Sequence, residues 1–208
     1  MVDPFPTRRI GDIGTYWQGY AEQLAGAAAS VDRAKLAAAA SLIEAAIEAR
    51  RWIYACGNGG SAAISNHLLC DFAKGIQTDT DHRPGVISLA ANLETILAIG
   101  NDIGFDDVFV YQLRTTAQPG DVLITISSSG NSENIVRPIE WARQNGVKTI
   151  ALTGFEGGRS ARLADVNVHV TARNYGVVED VHQSLMHVLA QFIRQAAMAA
   201  DKIPGARF

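Results

Sequence analysis

Apolar residues recur along this chain in two rhythms. Five short runs are nearly continuous and rich in β-branched side chains: Trp52 to Cys56, Val86 to Ala90, Val122 to Ile126, Lys148 to Leu152 and Val166 to Val170. Runs of this kind read as strands buried on both faces, as in a parallel sheet. Between them, apolar positions return every three or four residues. Leu36, Ala40, Ile43 and Ile47 mark one face of a helix predicted over Val31 to Arg50, which follows an Ala-rich helix over Thr15 to Ala28. Further helices are predicted from Ser61 to about Lys74, Leu93 to Ile99, Asp107 to Thr116, after Ser132 to about Gln144, near Ser160 to Leu163, and from Val178 to about Ala200. Gly100-Asn101-Asp102, Pro119-Gly120-Asp121, Gly146 and Gly157-Gly158 punctuate these elements. Strands alternating with helices imply an α/β three-layer sandwich, flavodoxin-like or Rossmann-like, with a five-stranded parallel sheet and two extra N-terminal helices. The length of 208 residues suits one domain, with an arm and helices in 1–50 and an α/β core in 51–200. Within the arm, Met1 to Arg9 carries two prolines and reads as loose.

Two strands end in loops of unusual composition. Gly57-Asn58-Gly59-Gly60 follows the first, and Ser61 opens a helix. Free N–H groups and the positive end of the dipole at a helix start make an anion site, and glycine lets a ligand approach the backbone. Gly57, Gly59 and Ala62 also satisfy the dinucleotide fingerprint. That reading wants an acidic residue at the end of the second strand. Asp79 and Asp81 fall near the required distance but sit in the polar run Gln77 to Arg83, ahead of that strand. Ser127-Ser128-Ser129-Gly130-Asn131-Ser132 repeats the strand–loop–helix device with four hydroxyls. A single serine would read as a helix cap, which Ser129 or Ser132 could supply. Four at the end of a buried strand favour a phosphate, held by hydroxyls and backbone N–H groups.

Composition narrows the picture further. The net charge of −3, without a basic block, argues against nucleic acid as a direct ligand. Nothing resembles a signal peptide and no apolar run reaches transmembrane length, so a cytoplasmic protein without membrane contact is expected. Cys56 and Cys70 cannot build a disulfide framework and read as two reduced core thiols.

Candidate chemistry sits on two helix stripes. His67 and Asp71 are four residues apart, on the helix that starts at the glycine loop. Glu179, Gln183 and His187 step by four along the last helix. If the stripes face each other, ligands for a metal converge, although a His–Asp pair is more often a surface ion pair or a satisfied buried histidine. His182 points away from His187 by helical geometry. Asp180 is placed to cap the first turn of the last helix. His82 and His169 read as surface or strand residues.

The glycine and serine loops, with Asn101-Asp102 and Leu152-Thr153-Gly154, resemble the signatures of the sugar isomerase (SIS) domain family. Within it the chain is most similar to bacterial phosphoheptose isomerases, from about Tyr16 through Ile193. The resemblance implies a homotetramer with sites at subunit contacts. It implies conversion of sedoheptulose 7-phosphate to D-glycero-D-manno-heptose 7-phosphate, early on the way to surface heptoses of lipopolysaccharide or capsule. It places the phosphate on Ser61, Ser127, Ser128, Ser129 and Ser132, and the sugar against Asn58, Gly59, Gly60, Asn101 and Asp102. One zinc per subunit would fall on His67, Asp71, Glu179 and His187, with Asp71 and Glu179 also facing substrate and Asp71 and His187 as the acid–base pair. Family members usually carry glutamate at position 71 and glutamine at position 179. Asp71 and Glu179 therefore leave room for another sugar phosphate as substrate. A non-catalytic SIS module that binds a phosphosugar or a replication-initiator protein is the alternative from another class. Such relatives lose metal-site residues in the last helix, whereas Glu179 and His187 are present here.

Overall fold

The computed structural model describes residues 4–208, so residues 1–3 of the expected arm lie outside the described residues. Among the described residues the five strands are β1 (Trp52–Gly57), β2 (Gly85–Ser88), β3 (Val122–Ser127), β4 (Lys148–Thr153) and β5 (Val166–His169). All pair in parallel, in the order β2-β1-β3-β4-β5. The helices are α1 (Ile13–Ala29), α2 (Arg33–Glu48), α3 (Gly60–Cys70), α4 (Leu93–Asp102), α5 (Val108–Thr116), α6 (Glu133–Gln144), α7 (Gly158–Leu163) and α8 (Tyr175–Ala197).

The period-two alternation of the strands divides the core. Ile53 and Ala55 of β1, with Ile124 and Ile126 of β3, face α2, α3 and α8. Tyr54, Cys56 and Leu123 face α4, α5 and α6. Strand β3 is buried along its whole length, which accounts for its unbroken apolar run. Each fully buried isoleucine contributes about 1.5–3 kcal/mol. No helix among the described residues is long and apolar enough to cross a membrane.

Several boundaries differ from the sequence expectation for local reasons. Helix α4 runs through Gly100 because its stop lies at Gly104, whose φ of 148° ends the helix while Ile103 and Gly104 both donate to the Ile99 carbonyl. Helix α8 starts earlier than Val178, because Asn174 accepts from Val177 N at 3.2 Å and caps it. Asp180 is no cap. It accepts a 2.6 Å hydrogen bond from Tyr20 and fastens α1 to α8. Cys56 is a core thiol, but Cys70 is exposed. At Asp71 the helix widens into a five-residue π-helical stretch, Asp71–Gly75, in which Ile76 N reaches the Asp71 carbonyl. Such stretches often mark functional positions.

His182 lies fully buried on α8, beside the Thr153 backbone but with neither ring nitrogen making a well-formed hydrogen bond. Burial pushes its pKa down to about 4, against a smaller opposing effect of the Thr153 backbone. The unfolded chain binds this proton near pH 6.5, whereas the folded chain refuses it until about pH 4. Stability is thus fully present above the unfolded value and lost as pH falls through that window, by up to roughly 3 kcal/mol. Urea denaturation at pH 7 and pH 4.5 should show a smaller acid loss in His182→Met than in wild type. Equal losses would contradict the assignment.

Candidate active site

Strands β1 and β3 are neighbours, with Gly57 opposite Ile126. The glycine and serine loops therefore leave the sheet side by side, at the carboxyl ends of the strands where its winding direction reverses. Ligands in open α/β sheets bind at this place. Gly59 has φ 54° and ψ −121°, a conformation that side-chain-bearing residues rarely adopt. Helix α3 starts without a side-chain cap, and so does α6, since Ser132 occupies the cap position but makes no capping bond. Two uncapped helix starts beside each other offer N–H donors to an anion. Glu133, in the first turn of α6, is engaged by Arg159.

A mutual amide pair ties the loops together. Asn58 donates to Asn134 at 2.9 Å, and Asn134 donates back at 2.8 Å. The serine loop is pinned elsewhere as well. Ser127 Oγ accepts from Gly130 N at 3.1 Å, and the Gly130 carbonyl accepts from Ser160 N and Oγ at 2.9 and 3.0 Å. The Ser128 carbonyl accepts from Gly154 N at 3.0 Å. The Ser128 hydroxyl is enclosed and has no partner, so its side chain does not face the open loop. Ser129 and Ser132 are half-buried, and Ser61 is buried at the start of α3. Asn101 and Asp102 are exposed on the last turn of α4, where Asn101 donates to Asp102 at 2.7 Å.

The two helix stripes do face each other. His187 Nδ1 on α8 lies 2.6 Å from Asp71 Oδ2, and His67 Nε2 on α3 lies 3.4 Å from Asp71 Oδ1. The imidazoles of His67 and His187 meet edge to face at 4.9 Å. His67, Asp71 and His187 bring three ligand atoms within 4.8 Å of one another. Two imidazoles and a carboxylate are a donor set suited to a zinc-type ion, so these residues fit one. Glu179 is not part of that group. Its carboxylate rests against Gly60, where any Cβ would collide with it. Burial first, and the Asp180 charge second, raise its pKa above the usual carboxylate range. The ligand atoms brought together are thus three of the four that the resemblance implied. Gln183 fills the remaining side of the cluster: its Nε2 lies 3.1 Å from His67 Nδ1 and 2.9 Å from His187 Nε2.

Asn134 had no signal of its own in the sequence, since a polar residue in the first turn of a helix is ordinary. Its role needs the β1–β3 adjacency. The nucleotide reading loses its acid here: Asp79 lies ahead of β2, at the wrong end of the sheet, and binds Arg194 at 3.0 Å.

The chain is similar to known proteins in sequence and in fold. The sequence profile of the SIS domain matches residues 16–154. Phosphoheptose isomerase of Rhodospirillum rubrum is 37% identical over 161 residues, covering 77% of this chain and 85% of that one. That of Nitratidesulfovibrio vulgaris strain Miyazaki F is 40% identical over 141 residues, covering 68% and 67%. The solved structure of phosphoheptose isomerase from Neisseria gonorrhoeae superimposes with a TM-score of 0.80 at 30% identity, covering 88% of this chain and 97% of that one. A profile match running from α1 to the end of β4, together with relatives at this level of identity, makes this chain a member of the SIS (sugar isomerase) domain family.

Proposed function

We propose that this protein is an aldose–ketose isomerase that converts sedoheptulose 7-phosphate to D-glycero-D-manno-heptose 7-phosphate. The observation that carries this reading is the placing of an anion site and a histidine–carboxylate pair along one helix. Gly60 starts α3 and His67 lies seven residues on, about 10 Å at 1.5 Å per residue. That separation suits a long phosphosugar whose reacting carbons lie far from its phosphate. The relatives named phosphoheptose isomerase support the same substrate. Incubating the purified protein with sedoheptulose 7-phosphate, with and without added zinc, should give the aldose by NMR. Absence of aldose under both conditions would overturn the proposal.

The reaction moves a proton between C1 and C2 through an enediolate. Ser61, Ser127, Ser129, Ser132 and the first-turn amides of α3 and α6 hold the phosphate, with Ser128 contributing backbone only. This remote binding orients the reacting end. Asn58, Gly59, Gly60, Asn101 and Asp102 line the sugar. Asp71 takes a proton from C1, exchanges it with solvent while the enediolate is bound, and delivers a proton to C2, while His187, hydrogen-bonded to it, exchanges a proton with the sugar oxygens. Bound to His67, Asp71 and His187, a zinc ion would polarise those oxygens. Glu179 stands beside the phosphate end, so Glu179→Gln should lower KM for the phosphosugar several-fold at low salt and leave metal affinity unchanged. A metal affinity that changes tenfold would place Glu179 back among the ligands.

The arm, the helices of residues 1–50 and the core of 51–200 act here as one SIS domain, in a cytoplasmic enzyme on the way to surface heptoses of lipopolysaccharide or capsule. A homotetramer with sites at subunit contacts is part of this reading. Val188 and Phe192 on the outer side of α8 are half exposed beside Leu36 of α2, an apolar face that a second copy would cover. Light scattering at micromolar concentration should give four times the chain mass of 22.2 kDa. A monomer would contradict this part.

A further inference from the structure

The start of α7 lies directly on the serine loop because glycines let the two backbones touch. A Cβ on Gly130 would collide with the Gly157 carbonyl, and one on Gly158 with the Ser129 and Gly130 carbonyls. Both glycines have positive φ, 64° and 58°. The close approach sets the next residue, Arg159, beside the loop, where its main-chain N–H donates to Asn131 Oδ1 at 3.0 Å. Its guanidinium lies along α6. Nη1 donates to Glu133, and Nη2 donates to Glu140 at 3.0 Å. Glu133 and Glu140 are seven residues apart, two turns along one face of the helix, so one planar fork reaches both carboxylates.

Glu133 holds a conflicted place. It is the first residue of α6, whose start has no side-chain cap and free N–H groups. A negative side chain there suits the helix dipole, but it repels a phosphate that uses the same N–H groups. Arg137, one turn on, is committed elsewhere: it contacts Asp107 at 2.8 Å and Asp106 at 3.1 Å, and stays 3.9 Å from Glu133. Arg159 is the cation in close contact with Glu133 among the described residues. We propose, on the phosphosugar reading given above, that Arg159 is a positioning residue for phosphate: it draws the Glu133 carboxylate toward α7 and so keeps a negative charge off the start of α6. Glu140 anchors the other arm of the guanidinium. The serine loop does not need that guanidinium, because Asn131 is held by the Arg159 main chain and the Gly130 carbonyl by Ser160. Removing the guanidinium therefore frees the charge and leaves the loop pinned.

The test uses the full-length enzyme, sedoheptulose 7-phosphate as substrate and inorganic phosphate as competitor. At low salt, Arg159→Gln should raise both KM and the inhibition constant of phosphate roughly five- to thirtyfold, with kcat within about threefold of wild type. Both side chains are partly exposed, so the effect should shrink to about threefold or less in 0.5 M NaCl. Adding Glu133→Gln to Arg159→Gln should return both constants to within about threefold of wild type, because no charge is left to restrain. Arg159→Lys should fall between wild type and Arg159→Gln. Unchanged constants in Arg159→Gln would overturn the proposal. A loss that Glu133→Gln does not rescue would also overturn it, since Arg159 would then act on the phosphate or the loop by itself. A fall in kcat without a rise in KM would do the same. Wild type that neither turns over the substrate nor responds to phosphate would overturn the phosphosugar reading as well, whereas turnover and phosphate inhibition in wild type with no effect in the variant would overturn only the role of Arg159.

Discussion

His187→Ala should lower turnover by about three orders of magnitude and lose most of the bound metal. The two losses share one cause. The imidazole is one of three ligand atoms brought within 4.8 Å, and it also holds the short hydrogen bond to Asp71. Removing a proton carrier alone costs about 10²–10⁴ in rate. Removing a ligand from a three-residue site costs metal affinity besides. Folding should survive, because His187 is half exposed on α8 and its neighbours Leu185, Met186 and Leu189 keep their burial. The measurement is kcat with sedoheptulose 7-phosphate beside elemental analysis of the same sample. Turnover within tenfold of wild type would remove His187 from the reaction. Metal retained with turnover abolished would keep it as a proton carrier and remove it as a ligand.

Combining Ser61→Ala with Ser129→Ala should raise KM for the phosphosugar about thirtyfold or more, with a smaller change in kcat. Each hydroxyl offers a charge-assisted hydrogen bond to phosphate, and such bonds contribute about 1.5–3 kcal/mol. The loops themselves should stand without them. The serine loop is pinned through Gly130, Ser128 and Asn131 backbone or amide contacts, and the glycine loop through the Asn58–Asn134 pair. Inorganic phosphate should lose its ability to compete in the double variant. Calorimetry showing unchanged phosphosugar affinity would move the anion elsewhere. A coupled fall in kcat would show that phosphate binding also orients the reacting end, as remote binding energy does.

The parts of the fold that could be read in advance were those fixed by local pattern. A central parallel strand is buried on both faces, so Val122 to Ile126 announces itself by composition alone. Helix ends were less legible, because the residue that stops a helix is chosen by competition. Gly100 looked like the stop of α4, yet Gly104 is where the backbone turns. Asp180 carried the right charge for a cap, but Tyr20 reaches it from α1, a contact that no sequence spacing contains. Cys70 sits in a helical pattern like a core residue, and only the orientation of α3 exposes it.

The candidate site divides in the same way. His67 with Asp71 was visible because an i, i+4 pair is a local feature, and the stripe on α8 was visible for the same reason. That the stripes meet is tertiary information, supplied by the 2.6 Å contact between residues 116 apart in sequence. Glu179 and Gln183 share a helix face, so spacing alone could not say which enters the cluster. The answer depends on Gly60, whose missing side chain makes room for the carboxylate of Glu179. Asn134 had to wait for the strand order that brings the two loops together.

The central claim is that the pair Asp71 and His187 moves a proton between adjacent carbons of a phosphosugar. Running the conversion of sedoheptulose 7-phosphate in D2O tests it most directly. The account predicts an aldose phosphate that carries deuterium at C2, formed by wild type and formed about a thousandfold more slowly by His187→Ala. An aldose formed by wild type with no deuterium at C2, and at an undiminished rate by His187→Ala, would contradict it.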